Sequence, residues 1–249
     1  MSQQEHQIQN WNTFFKYHVH DWHGIVTRYS PEGEIIESFK CIRTFEASSD
    51  GNEYVQKNHH IYEDEKSETI TFGVKKKPIT KALYIENSFS WCSGENGNFT
   101  NFRFEIGFRH QNRRATAGSV YKNKTLEHIF IIHEYLDSYS PEKSFLPKFD
   151  KNNNSWENWV GQLKGISSDL RVFNKSEIKW EPLENISNEN NIILYSPEGI
   201  SITSPSSLEA KVDFHLTVDW LVEPTLRLRG SRYYENSTFS KAEFIEFNQ

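Results

Sequence analysis

The chain has 249 residues, enough for one large domain or two of about 100–150 residues, and enough to bury a core without disulfide staples. Its net charge is −6 with both signs interspersed, and the longest basic run is Lys75-Lys76-Lys77, so a nucleic-acid partner, which needs clustered Lys and Arg, is not expected. One Met and few Ala argue against a helical bundle, while 18 Phe, 11 Tyr and 7 Trp suit strands and aromatic-lined cavities.

The opening MSQQEHQIQN lacks the basic-then-apolar pattern of a secretory signal. No stretch approaches the roughly 18 apolar residues of a membrane span. A cytoplasmic location is therefore the expectation, with Cys41 and Cys92 as reduced, strand-embedded thiols. Ile8, Trp11, Phe14, Phe15, His18 and Trp22 recur at three- or four-residue steps, which predicts an amphipathic helix plugging the end of a barrel.

Period-two segments follow. In 39–46, Phe39, Cys41, Arg43 and Phe45 share one face. In 102–109, Phe102, Phe104, Ile106 and Phe108 oppose Arg103, Glu105, Gly107 and Arg109. In 211–222, Val212, Phe214, Leu216, Val218, Trp220 and Val222 oppose Lys211, Asp213, His215, Thr217 and Asp219, a face expected to meet solvent. Turns separate them: Ser30-Pro31-Glu32-Gly33, Ser48-Ser49-Asp50-Gly51 and the segment 93–98. Lys75-Lys76-Lys77 reads as a solvated hairpin end. A compositional break at 138–155 predicts two modules, 1–145 and 146–249. An internal echo supports them: Trp22-His23-Gly24 opens the first β region and Trp159-Val160-Gly161 the second, with Trp156 just before it. A Tyr-Ser-Pro-Glu-Gly turn at 29–33 and 195–199 has a different offset and reads as a recurring turn.

Trp-x-Gly after a short helix resembles the entrance of lipocalin and fatty-acid-binding barrels, in which the Trp closes one end, often under an Arg from a late strand. The longer stretch is more specific. Trp22-His23-Gly24, Thr27 to Glu34, Ile36-Glu37-Ser38-Phe39, Arg43-Thr44-Phe45, Tyr195 to Ser201 and Asp219-Trp220-Leu221-Val222 together resemble a cyanobacterial and plastid family of unassigned function. That resemblance spans nearly the whole chain. It implies an all-β fold of tandem lipocalin-like (calycin) antiparallel β-barrels with a short N-terminal helix, and no established reaction.

Candidate site residues come from strand parity. Arg43 on an apolar face must be paired or face a polar cavity, where its guanidinium fork suits a carboxylate; otherwise it stacks on an end-closing Trp such as Trp22. Arg103, Glu105 and Arg109 form either a solvated outer stripe or, with the phenylalanines turned outward onto the other module, the lining of a polar pocket. Tyr62 and Trp91 are candidate aromatic walls. His128, His133 and Glu134 lie in a strand apolar on both faces, and His133 is a candidate site residue alongside its reading as a core histidine. His18, His20, His23 and His59-His60 lack metal-ligand spacing with a carboxylate, so no metal is expected. No nucleophile elbow, phosphate loop or dinucleotide fingerprint occurs, and no cofactor is expected.

The expected function is binding of a small hydrophobic or amphipathic molecule with a polar or anionic handle. A cofactor-free cyclase or isomerase, and a bilin-handling lyase or chaperone, are the alternatives. A second copy of the chain is left open as a partner.

Overall fold

The computed structural model describes residues 3–79, 82–94, 99–136, 138 and 158–249. Helix α1 (Gln3–Tyr17) opens the chain. It buries Trp11 and Phe14 against Tyr54, with Phe15, Phe45 and Tyr84 around them. The helical spacing continues to Trp22, but the helix stops at Tyr17 and Trp22 starts a strand. The Trp22 indole N–H still donates to the His18 carbonyl at 3.0 Å, so the four-residue spacing survives as a hydrogen bond across the junction.

Strands β1 (Trp22–Tyr29), β2 (Ile35–Ala47), β3 (Glu53–Ile61), β4 (Ser67–Thr71), β5 (Lys75–Lys76), β6 (Ala82–Ile85), β7 (Ser88–Cys92), β8 (Asn101–His110), β9 (Arg113–Lys122) and β10 (Thr125–Tyr135) form one antiparallel sheet. Its order is β4-β3-β2-β1-β10-β9-β8-β7-β6, with β5 also on β3. The last strand returns to the first, which curls the meander into a barrel left open between β6 and β3–β5. Helix α1 sits at that opening. Asn10 gives its amide to the Ala82 carbonyl at 2.7 Å and takes the Tyr84 amide at 2.7 Å, satisfying backbone groups of the β6 edge. Lys75 and Lys76 are thus strand residues paired with Tyr54 and Glu53, because the chain doubles back there onto β3.

The second sheet holds β11 (Val160–Ser167), β12 (Val172–Lys179), β13 (Asn191–Tyr195), β14 (Ile200–Pro205), β15 (Phe214–Glu223), β16 (Leu226–Glu235) and β17 (Thr238–Asn248), in the order β12-β11-β17-β16-β15-β14-β13. That order matches β2-β1-β10-β9-β8-β7-β6 strand for strand. Among the described residues nothing corresponds to β3–β5, so the second sheet is a half-barrel. Helix α2 (Leu183–Ile186) and Trp180 lie in the connection from β12 to β13. The expected fold of tandem lipocalin-like antiparallel barrels with a short N-terminal helix is the one present, its second member shortened.

The Trp-x-Gly echo has a steric cause. A Cβ on Gly24 would lie 2.0 Å from the His133 carbonyl on β10. One on Gly161 would lie 2.6 Å from Ile245 on β17. In both modules the first strand runs against the last too closely for a side chain.

The two sheets share a core. Phe102, Phe104, Ile106 and Phe108 on β8 join Ile200, Ile202, Leu216, Val218 and Trp220 of the second sheet in one buried cluster. Each fully buried Phe or Leu there contributes about 1.5–3 kcal/mol. Hydrogen bonds cross the same junction: Ser119 and Ser204 hydroxyls at 2.6 Å, and Tyr121 hydroxyl to the Pro205 carbonyl at 2.8 Å. The two Tyr-Ser-Pro-Glu-Gly turns also adjoin, with Gly33 beside Leu194.

Two expectations are corrected here. Strand β15 begins at Phe214, because Lys211 takes φ +64° and Val212 is exposed. The face carrying Asp219 is covered rather than solvated, since Asp219 is buried under Trp180 and two arginines. The 138–155 break, apart from Ser138, and with it the boundary between 1–145 and 146–249, lies outside the described residues, as do Trp156 and positions 95–98 of one turn.

Candidate functional site

Because β8 is covered by the second sheet, its apolar face points out of the first barrel and its charged face points in. Inside, Arg103 and Glu105 meet Phe39 and Arg43 of β2, His60 of β3, Tyr84 of β6, Trp91 of β7 and Phe130 of β10 around a cavity of about 560 Å³. Parity along each strand sets this lining: Phe39, Cys41 and Arg43 share the inner face of β2, and His128, Phe130, Ile132 and Glu134 that of β10.

The closed end of the cavity is ionic. Glu134 is fully buried and accepts from Arg114 Nε at 2.7 Å, while Arg43 Nε lies 3.3 Å from its other oxygen. Burial alone would raise the Glu134 carboxyl, but Arg114 and Arg43 hold it below the usual carboxylate range. Arg114 also stacks on Trp22, 4.5 Å from the ring centroid. Arg114, from the penultimate strand of the barrel, therefore covers the end-closing Trp, and Arg43 is free of that task and lines the cavity. The second sheet repeats the device. Arg227 of β16 lies over Trp159 and Trp180, and Asp219 pairs with Arg229 at 2.6 Å and with Arg227 at 3.6 Å.

Glu105 differs from Glu134. No hydrogen bond or ion pair from the described residues reaches its carboxylate. Burial raises its pKa, opposed at longer range by Arg43, Arg114 and Arg103. Tyr84 is pushed well above its usual range by burial and by neighbouring Tyr54. The site thus combines aromatic walls, a fixed guanidinium and one unbonded carboxyl.

The other sequence candidates lie elsewhere. Arg109 shares the parity of Arg103 and Glu105 but sits beyond the barrel end, donating to the Tyr17 carbonyl at 2.6 Å beside His20 and Trp22, because the strand outruns the cavity there. His133 is on the opposite face of β10 from the cavity, edge-on to Trp220 at 6.1 Å between the sheets; burial and Arg113 lower its pKa to about 4. Tyr62 packs its ring 5.1 Å from Phe39 but lies outside the cavity, with its hydroxyl on Glu68. It lines a separate depression of about 780 Å³ beside the turn between β3 and β4, open to solvent and lined by Glu37, Glu63, Asp64 and Glu68 with Lys66. Sequence reasoning did not single out Arg28, His60 or Tyr84, which line the cavity. Arg28 was detectable, because it continues the Trp22, Gly24, Val26 face of β1. Tyr84 was not, since its four-residue strand shows no period.

Among the described residues no group of three or more His, Cys, Asp or Glu could hold a metal, and no helix is long and apolar enough to cross a membrane. Residues 7–139 match a family model described as the N-terminal part of a domain of unknown function, DUF3598. Residues 153–244 match the C-terminal domain described for biogenesis factor required for ATP synthase 1. No curated protein matches the chain. A crystal structure of a DUF3598 protein of unknown function from Nostoc punctiforme superposes with TM-score 0.73 at 19% identity, covering 96% of this chain and 98% of that one. A Bacteroides fragilis structure at TM-score 0.28 and 7% identity, covering 93% of this chain and 97% of that one, is too dissimilar to bear on the fold. Since the DUF3598 model spans more than half of the sequence, the chain belongs to the DUF3598 family.

Proposed function

We propose that the protein binds a small amphipathic molecule with an acidic handle in a calycin-type cavity of its first barrel. The observation that carries this reading is the cavity of about 560 Å³, walled by Phe39, Tyr84, Trp91 and Phe130 and presenting Arg43 at its closed end. Mostly apolar concavities of this size with a few fixed polar groups are the usual form of ligand sites. The return of the last strand onto the first supports the calycin kinship. The buried free thiols Cys41 and Cys92 suit a reducing compartment.

Arg43 is held by Glu134 on its Nε side, so its fork is oriented before a ligand arrives. Native mass spectrometry of the gently purified protein should reveal a small acidic adduct. Arg43→Met should bind that adduct, measured by calorimetry, roughly 10–100-fold more weakly, the loss of one charge-assisted hydrogen bond. The fold should persist, because Glu134 keeps Arg114. Equal affinity in the variant would remove Arg43 from the site.

A second reading is a cofactor-free isomerase or cyclase, favoured by the unbonded, raised-pKa Glu105 facing the same space. Replacing Glu105 by Gln would then abolish turnover of the recovered ligand while leaving its binding intact.

A further inference from the structure

Besides Lys75 and Lys76 of β5, the latter paired with Glu53, the cavity carries positive charge at its two ends. Arg43 pairs in register with Trp22, at the closed end. Arg28 stands six residues further along β1, about 20 Å along the strand at 3.3 Å per residue. Beside Arg28, on the same inner face, lie His128 of β10 and Arg103 of β8; His128 and Arg103 face the same residue, Val120, from either side of β9. All three line the cavity, towards its open end.

The charges at this rim are only partly neutralised locally, and His128 lies 3.6 Å from Glu127. Arg28 pairs with Glu37, but Arg103 has no carboxylate within ion-pair distance among the described residues. Burial first, and then Arg28, lower the His128 pKa, so at neutral pH the ring is an uncharged hydrogen-bonding group beside two guanidiniums. Between rim and closed end one wall is apolar, formed by Val26, Phe39, Phe130 and Ile132, while β3 contributes His60 and Asn58. Among the described residues Glu105 is the one carboxylate in this lining, and burial favours its neutral form. A cavity with an apolar wall between two cationic ends is complementary to an elongated molecule with an anion at each end, and a ligand with one acid group would leave one of the two ends unmatched.

We infer that the ligand is a dianion, with one acid group on Arg43, an apolar body along Phe39 and Phe130, and the second acid group on Arg28, Arg103 and His128 at the rim. This rests on the reading of the first barrel as a ligand site. The probes are saturated α,ω-dicarboxylic acids of twelve to sixteen carbons and the monocarboxylic acids of equal length, titrated calorimetrically into the whole protein. A diacid should bind at least tenfold tighter than its matched monoacid. Arg103→Gln should remove that advantage by weakening the diacid more than the monoacid; its side chain is exposed and makes no ion pair among the described residues, so the variant folds. Arg28→Gln should reduce the same advantage. Equal affinity of diacid and monoacid in the wild type, or an undiminished diacid advantage in Arg103→Gln, would overturn the dianion inference and leave the ligand site standing. Failure of both series to bind would overturn the ligand site and the inference together.

Discussion

Buried ionisable groups in this protein are tied to pH through single residues. His133 is buried between the sheets with its pKa lowered from 6.5 to about 4. Between those values the unfolded chain holds a proton on this ring and the folded chain does not. Stability therefore rises with pH across that window, and His133 alone accounts for a loss of about 3 kcal/mol on acidification from pH 6.5 to 4. Urea midpoints for wild type and His133→Gln should converge or cross as pH falls through this range, the variant having the flatter profile. Parallel profiles would show that His133 is protonated in the folded state. Arg114 illustrates the opposite case, a buried charge kept by its partners: its guanidinium holds Glu134 and covers Trp22 at once.

At the scale of elements, strand pairing depends on two glycines more than on any hairpin. Gly24 lets β1 lie against β10, with His133 O only 2.0 Å from where a Cβ would stand. Gly24→Ala must spread that pair or shift its register, and should cost about 1–3 kcal/mol in chemical denaturation. Gly73→Ala is the control, since a Cβ there meets nothing within 4 Å. Matching midpoints for the two variants would remove the steric account of the Trp-x-Gly pattern. The β9–β10 and β16–β17 hairpins are built alike. Asn123-Lys124 and Asn236-Ser237 take positive φ at both central positions, as the tight turn of a twisted ribbon requires. The flanking Tyr121-x-Asn-x-Thr125 and Tyr234-x-Asn-x-Thr238 are an echo as informative as Trp-x-Gly, and in both cases an arginine stands seven residues before the tyrosine. That arginine, Arg114 or Arg227, covers the Trp of its module.

For the molecule as a whole, the decisive feature is the apolar junction of the two sheets. The cluster running from Phe102 to Phe108 and on to Trp220 belongs to neither sheet alone. Thermal unfolding should be one transition, with far- and near-ultraviolet dichroism coincident, and residues 146–249 expressed alone should aggregate or stay unfolded because Ile200, Ile202, Leu216 and Val218 would face water. Two separated transitions, or a soluble folded fragment, would contradict a shared core. The unequal length of the sheets divides their roles. The first keeps β3–β5 and encloses a cavity, whereas the concave side of the second is occupied by Trp180, whose indole N–H reaches Asp219 at 2.9 Å.

Strand periodicity, the Trp-x-Gly pair and the turn residues made the all-β tandem architecture legible in the sequence, because alternation and steric minima are local properties of the chain. Parity likewise grouped Phe39, Cys41 and Arg43 on one face and Arg103 with Glu105 on another. It could not say which face was inside. Alternation shows that two environments differ, and both faces of β8 are covered, one by the second sheet and one by the barrel's own far wall. Only the packing of the two sheets decided that the phenylalanines seal the junction and the charges line the cavity. The same limit explains Arg109, placed beyond the barrel end by the finite length of the enclosure, and Asp219, which looked solvated until Trp180 and Arg229 were brought over it from residues distant in sequence. Sequence fixes the order of side chains along each strand. What stands across from them depends on how far each strand runs and on what the rest of the chain folds against it.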